Sequence, residues 1–248
     1  MEFLGQVLAW YTDPVNWTGN DAIPLRLWQH LSLSAASLGA GIAIALPIGL
    51  YIGHTGRGAR ITVAITNIGR AVPSLGWLGI AFPISTGLFH RAGLGFLPAF
   101  IGLVALAIPP IVTNTYAGLR AVDADLREAA RGMGMRELEV LVRVEVPVAL
   151  AVILAGIRVS AVAVVATAPL AALVGGGTLG SYILAGLALS DEVRVFAAAV
   201  LVAVLALLTE LAFAWLQRRA VSPGLAPSID GAWFDPSQPT PVGATGTS

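Results

Sequence analysis

The sequence predicts an all-α protein, a polytopic membrane helix bundle of about five transmembrane helices. Three observations lead there. The 248 residues are 56% hydrophobic and only 11% charged, where an average soluble domain is roughly 25% charged. Five apolar runs are long enough to cross a hydrocarbon core, which takes roughly 20 residues. The arginines between those runs are sorted to one side. Fourteen basic residues cancel fourteen acidic ones, so a soluble protein of this composition would also lack the net charge that keeps it dispersed.

The elements follow in order. Residues 1–29 read as an N-terminal interfacial segment. MEFLGQVLAWYTDP lacks the positive start and small-residue cleavage site of a signal peptide. Trp10, Tyr11 and Trp17 suit headgroup depth. Residues 30–219 form the membrane domain. Its first run extends from about Leu31 to Gly53. Ser32, Ser34, Ser37, Gly39, Gly41, Gly49 and Gly53 give it small faces that permit close helix packing. The second run starts near Ile61, is interrupted at Pro73 and continues to about Ser85. The third covers about Phe96 to Tyr116, the fourth Val144 to Leu173, and the fifth Val195 to Leu216. Leu179 to Leu189 is too short to span and too glycine-rich for an ordinary helix, which predicts a re-entrant or surface segment. Residues 220–248 carry five prolines and four glycines and read as a flexible cytoplasmic tail, undocked despite Trp233 and Phe234.

Placing the N-terminus outside and the C-terminus in the cytoplasm puts nine arginines inside: Arg57, Arg60, Arg120, Arg127, Arg131, Arg136, Arg143, Arg218 and Arg219. Only Arg26, Arg91 and Arg194 fall outside, in keeping with the positive-inside bias. Arg70 and Arg158 remain within membrane runs. A charge at that depth costs about 2.5–3.5 kcal/mol or more and normally pairs. Glu210, in the fifth run, is a partner for Arg158 if the depths match.

Several function classes drop out. There is no cysteine, hence neither a disulfide nor a thiolate metal site. His30, His54 and His90 lie far apart with no acidic neighbour at ligand spacing. The neutral balance leaves no nucleic-acid footprint. No nucleophile–base or metal constellation indicates an enzyme. All fourteen basic residues are arginine, so a phosphate loop with its lysine is absent. Gly175, Gly177 and Gly180 have the spacing G-x-G-x-x-G, but a dinucleotide site needs that turn between a strand and a helix. Here it predicts a backbone bend at the outer mouth.

The longest polar segment within the membrane domain is AVDADLREAARGMGMRELEVLVRVEVPVAL. Asp125 followed three residues on by Glu128 reads as the start of a capped helix. Gly134 offers its stop, giving a short cytoplasmic helix at about residues 124–134. A second helix then runs into the fourth span. Ala129 and Ala130 keep one face of the short helix narrow, which permits close approach by a partner.

The spacing within this loop carries a resemblance. Glu128-Ala129-Ala130, three residues, Gly134, nine residues, Val144, one residue, Val146-Pro147 is similar to the signature of ATP-binding-cassette importer permeases, with valine in place of isoleucine and leucine. Asn67 to Leu75, Gly93 to Ala99, Pro109 to Gly118, Gly156-Ile157-Arg158 and Gly175 to Gly180 resemble the osmoprotectant branch, which imports glycine betaine, choline or carnitine. The resemblance covers roughly Leu31 to Glu192. Arg70 departs from it, standing where an uncharged polar residue is expected, and so does Gly76, where alanine is usual.

The resemblance implies a type I importer permease fold in the inner membrane and transport by alternating access. It implies a second permease subunit, identical or not, an ATPase subunit on the cytoplasmic face and a substrate-binding protein outside. ATP and magnesium would sit on the ATPase subunit, with no cofactor or metal in this chain. Glu128, Ala129, Ala130, Gly132, Met133, Gly134 and Pro147 are the coupling residues so implied. Asn67, Arg70, Pro73, Ser74, Trp77, Pro110, Asn114 and Arg158 place polar groups and helix breaks at membrane depth, as a path or gate requires, although irregular packing requires the same. Arg158 reads first as a structural pair. Trp77, Phe82, Phe89 and Phe96 could face a quaternary ammonium group. Methionine or another small solute remains an alternative cargo, and a scaffold without transport is the alternative from another class.

Overall fold

The computed structural model describes residues 2–89 and 94–220. Over those residues the chain forms helices α1 (Glu2–Thr12), α2 (Ile23–Thr55), α3 (Ala59–Ala71), α4 (Ser74–Phe89), α5 (Phe96–Arg120), α6 (Ala124–Gly132), α7 (Glu137–Val140), α8 (Val146–Thr167), α9 (Gly180–Leu189) and α10 (Glu192–Ala220). Four continuous stretches are long and apolar enough to cross a membrane: Ile23–Thr55, Phe96–Arg120, Glu137–Val174 and Glu192–Ala220. The fifth is a pair, α3 and α4, bent by 100°.

The interruption falls at Pro73, as expected, and takes the form of this bend. Pro73 has no N–H and biases Val72 away from the helical region. Val72 is extended, with φ −71° and ψ 121°, and α4 starts afresh at Ser74. The first membrane helix begins at Ile23, well before Leu31. Polar residues hide its first turns from a hydropathy reading, yet each has a partner. Arg26 pairs with Asp21 and donates to Gln29. His30 is fully buried, with Nε2 3.0 Å from the Val165 carbonyl.

The centre of the bundle is the α2–α5 seam, flanked by α8. Three glycines of α2 let the backbones meet. A Cβ built on Gly41, Gly49 or Gly53 would stand 2.8, 2.7 and 2.8 Å from the Cβ atoms of Ala107, Thr115 and Leu119. Gly39 and Ser32 lie off this seam, while Ser34 and Ser37 are buried. Gly156 brings α8 onto α5 in the same way, beside Asn114 and the Pro110 carbonyl. Ile52, Ile111, Val112, Leu119 and Ile153 fill one end of this core, and Leu33, Leu78, Leu103 and Val164 the other.

The segment Leu179 to Leu189 is an ordinary helix over Gly180–Leu189, contrary to expectation. Its glycines are contact points, not breaks. Gly180 abuts the Pro169 backbone, and Gly186 lies against Val195 and the Asp191 carbonyl. Ahead of it Gly175 takes φ +82°, the bend expected there. Trp10 and Tyr11 turn onto the protein: Trp10 packs edge-on to Tyr182 at 5.5 Å, and the Tyr11 hydroxyl donates to the Ala197 carbonyl at 2.7 Å. Trp17 is half exposed. The expected tail, with Trp233 and Phe234, lies outside the described residues.

Candidate functional site

Near the end of the bundle where α2 and α5 finish, α6 packs on α7 and on the turn that leads into α8. Its start is set by Asp123, whose carboxylate accepts the Asp125 N–H at 3.0 Å. Asp125 is thus inside the helix, not its cap, because Asp123 already satisfies a free first-turn donor. The helix stops as expected. The Gly134 N–H bonds to the Arg131 carbonyl at 2.9 Å and the Met135 N–H to the Ala130 carbonyl at 3.2 Å, a closure that needs a left-handed residue. Gly134 supplies it with φ +86°.

The two faces of α6 differ. Ala130 is 2% exposed and turned into the protein, so it does not form part of the narrow outer face expected of both alanines. Ala129 and Glu128 are exposed, as are Gly132 and Gly134. Leu126 and Met133 are 44% and 73% exposed. With Ala129 they recur at the i, i+3, i+7 spacing of one helical face. A free apolar edge beside a carboxylate is what a docking element presents to a partner groove.

Beneath α6 lies a polar seat. Glu145 belongs to a π turn, Leu141–Glu145, that leads into α8. Pro147 stands just beyond it, exposed and away from α6. Lacking an N–H, it cannot bond the carbonyl four residues back, and a wider π turn accommodates that loss. The Glu145 side chain is fully buried. His54, in the last turn of α2, sets Nδ1 2.7 Å from Glu145 Oε2, and Arg127 of α6 sets Nε 3.7 Å from Oε1. The other His54 nitrogen lies 3.3 Å from Glu137. Glu137 accepts two hydrogen bonds from Arg131 at 2.9 and 3.0 Å. Those bonds and the carboxylate charge raise the Arg131 guanidinium above its ordinary value. Arg127 also donates to the Val122 carbonyl at 2.6 Å. The next helix is fixed by Glu139, whose carboxylate accepts the Arg136 N–H at 2.9 Å.

The residues expected along a path fall into two groups. Asn67, Arg70, Pro73 and Ser74 are exposed around the α3–α4 bend. Trp77 braces that bend: its indole N–H donates to the Gly69 carbonyl at 3.3 Å. Pro110 is buried and Asn114 half-buried in the α5–α8 seam, where the Asn114 amide donates to the Pro110 carbonyl at 2.8 Å. Arg158 pairs with Glu210 of α10, the partner considered from the sequence. Gln217 supports them by donating to the Ala151 carbonyl at 3.0 Å. The aromatic residues do not share one cavity. Phe82 lines a cavity of about 270 Å³ with Leu75 and Leu173, and Phe96 a separate one of about 170 Å³ with Gln29 and Gly175.

Residues 45–222 match the family described as binding-protein-dependent transport system inner membrane component. The chain belongs to this family. It is 37% identical over 207 residues to the carnitine transport permease protein OpuCB of Listeria monocytogenes, covering 84% of this chain and 92% of that one. It is 33% identical over 208 residues to the choline transport system permease protein OpuBB of Bacillus subtilis, covering 84% and 93%. It is 36% identical over 193 residues to the osmoprotectant import permease protein OsmY of Salmonella typhimurium, covering 77% and 79%. Among solved structures, an inward-facing form of the MetNI methionine ABC transporter aligns with a TM-score of 0.73 at 23% identity, covering 85% of this chain and 100% of that chain. At that identity the likeness concerns the fold, a type I permease bundle.

Family membership makes the chain an inner-membrane component of a transport system. The seat is what sequence reasoning missed. His54 and Glu145 stand 91 positions apart, and no local spacing links them. One signal was present: a glutamate directly before a valine-proline pair, in an otherwise apolar run, needs a partner once buried.

Proposed function

We propose that this chain is the permease subunit of an ATP-driven importer of osmoprotectants of the glycine betaine, choline and carnitine class. The observation that carries the reading is α6: a capped helix with an exposed Leu126–Ala129–Met133 edge, held on a polar seat at the bundle end. An ATPase subunit docks on that edge and holds ATP and magnesium. The arginine asymmetry supports placing α6 in the cytoplasm and the α1 end outside, where a substrate-binding protein delivers solute. A second permease subunit, identical or different, completes the passage. The α3–α4 bend, with Asn67, Arg70, Pro73, Ser74 and Trp77, lines it. Pro110, Asn114 and Arg158 serve the packing of α8 against α5 and α10. The identities to carnitine, choline and osmoprotectant permeases support the cargo class over methionine.

The test is ATP hydrolysis by the reconstituted complex with its binding protein, measured with glycine betaine, choline, carnitine and methionine in turn. Stimulation by the quaternary ammonium solutes is expected. Stimulation by methionine alone would overturn the cargo assignment, and hydrolysis indifferent to every solute would overturn the transport reading.

A further inference from the structure

We propose that Glu145 is the joint through which displacement of α6 passes to the first membrane helix, α2. The proposal rests on the reading of α6 as the ATPase-docking element and adds the route beyond it.

Three observations support it. First, Glu145 has no solvent exposure, and a buried carboxyl group needs polar partners in place of its lost hydration. Those partners come from two different elements: the His54 ring of α2 at hydrogen-bond distance, 2.7 Å, and the Arg127 guanidinium of α6 at 3.7 Å. Removing either element from the site would take away one of the two, so both elements depend on the same side chain. Second, His54 is itself bridged. Its second ring nitrogen faces Glu137, which Arg131 of α6 holds with two hydrogen bonds. The connection between α6 and α2 is therefore doubled, through Arg127–Glu145–His54 and through Arg131–Glu137–His54. Third, Glu145 sits in the π turn at the foot of α8, so one side chain meets three moving parts. The α2 end packs closely on α5, where Gly53 meets Leu119. Glu145 is a positioning residue in this scheme: it touches neither solute nor nucleotide.

The experiment measures solute imported per ATP hydrolysed in proteoliposomes holding the whole complex, with glycine betaine as probe. Glu145→Gln and His54→Gln are each expected to lower that ratio at least about fivefold, the low end of coupling between sites. The double variant should fall no further than the worse single one, since both break the same joint. A ratio equal to wild type in Glu145→Gln, or losses that multiply in the double variant, would overturn the proposal. A merely structural residue would lower import and hydrolysis together and leave the ratio unchanged. The chain has no cysteine, which provides a second measurement should Glu145→Gln fail to assemble. In an Arg127→Cys, His54→Cys variant, which joins α6 to α2 directly, a short bismaleimide bridge should restore the ratio; equal ratios with and without the bridge would refute the joint. Failure of the docking reading shows separately, as undiminished ATPase binding by a Leu126→Asp, Met133→Asp variant.

Discussion

Ala129 and Ala130 are chemically identical neighbours, yet enlarging them should have opposite consequences. Ala130 is 2% exposed under α6, and its carbonyl closes the helix by accepting the Met135 N–H. Ala130→Leu adds three carbons where the seat leaves no room. Overpacking of a filled site costs about 1–3 kcal/mol. If that falls on the closed end of α6, the form with that end unwound becomes about 5- to 150-fold more populated. Amide hydrogen exchange reads this directly at Met133 and Gly134, whose N–H groups are held by the Ala129 and Arg131 carbonyls. Exchange at those two amides should accelerate by the same factor. Ala129→Leu, on the exposed side, should leave exchange unchanged and weaken ATPase capture instead. Unchanged exchange in Ala130→Leu, or accelerated exchange in Ala129→Leu, would refute the assignment of the two faces.

Gly134→Ala forces a side chain into φ +86°, at a cost of roughly 1–2 kcal/mol. The α6 amides should exchange faster while the thermal midpoint of the membrane bundle stays unchanged. Gly49→Leu pushes α5 away at a contact of 2.7 Å and should abolish accumulation of folded protein, whereas Gly39→Ala, which meets open space, should accumulate normally in the same expression assay. Arg158→Ala strands Glu210. The thermal midpoint in detergent should therefore fall further than in the Arg158→Ala, Glu210→Ala double variant, because an unpaired charge at membrane depth costs more than a missing pair.

Span number and the position of α6 are legible because both rest on local rules: apolar length, and a motif whose glycine ends a helix. Other features are not, each for a physical reason. Hydropathy placed the start of the first membrane helix at Leu31 because Arg26, Gln29 and His30 count as polar. Their partners, Asp21 and the Val165 carbonyl, become visible only in three dimensions. The helix of α9 is hidden because glycine counts against a helix by propensity, whereas Gly186 is a contact with the start of α10. The cap of α6 moved from Asp125 to Asp123 because two acids two residues apart satisfy the same local pattern. Of the path candidates, those adjacent in sequence stayed together at the α3–α4 bend. Asn114 and Arg158 lie apart from them, at the α5–α8 seam and against Glu210 of α10, because sequence spacing does not say which neighbour a polar side chain at membrane depth faces.

The distribution of these contacts bears on how the bundle moves. α2 is held along its whole length: by Asp21, Arg26 and Gln29 at one end, by the glycine seam on α5 in the middle, and by His54 on Glu145 at the other. α5 is locked to α8 where Gly156 meets Asn114 and where the Ser160 hydroxyl donates to the Ala107 carbonyl at 2.8 Å. Close-packed helices with filled cores shift as bodies, not by local deformation. A push on α6 thus has three connected helices to act on, α2, α5 and α8, and all three meet within a few residues of its seat. By contrast α3 is largely exposed, and its junction with α4 is an extended Val72–Pro73 step instead of a continued helix. α4 itself belongs to the packed body through Leu78, which shares a core with Leu33, Leu103 and Val164, so it is α3 that stands apart, and Gly69 meets that body at Trp77 and Pro109. If α6 drives the body, as proposed, that contact is where α3 must follow it or bend.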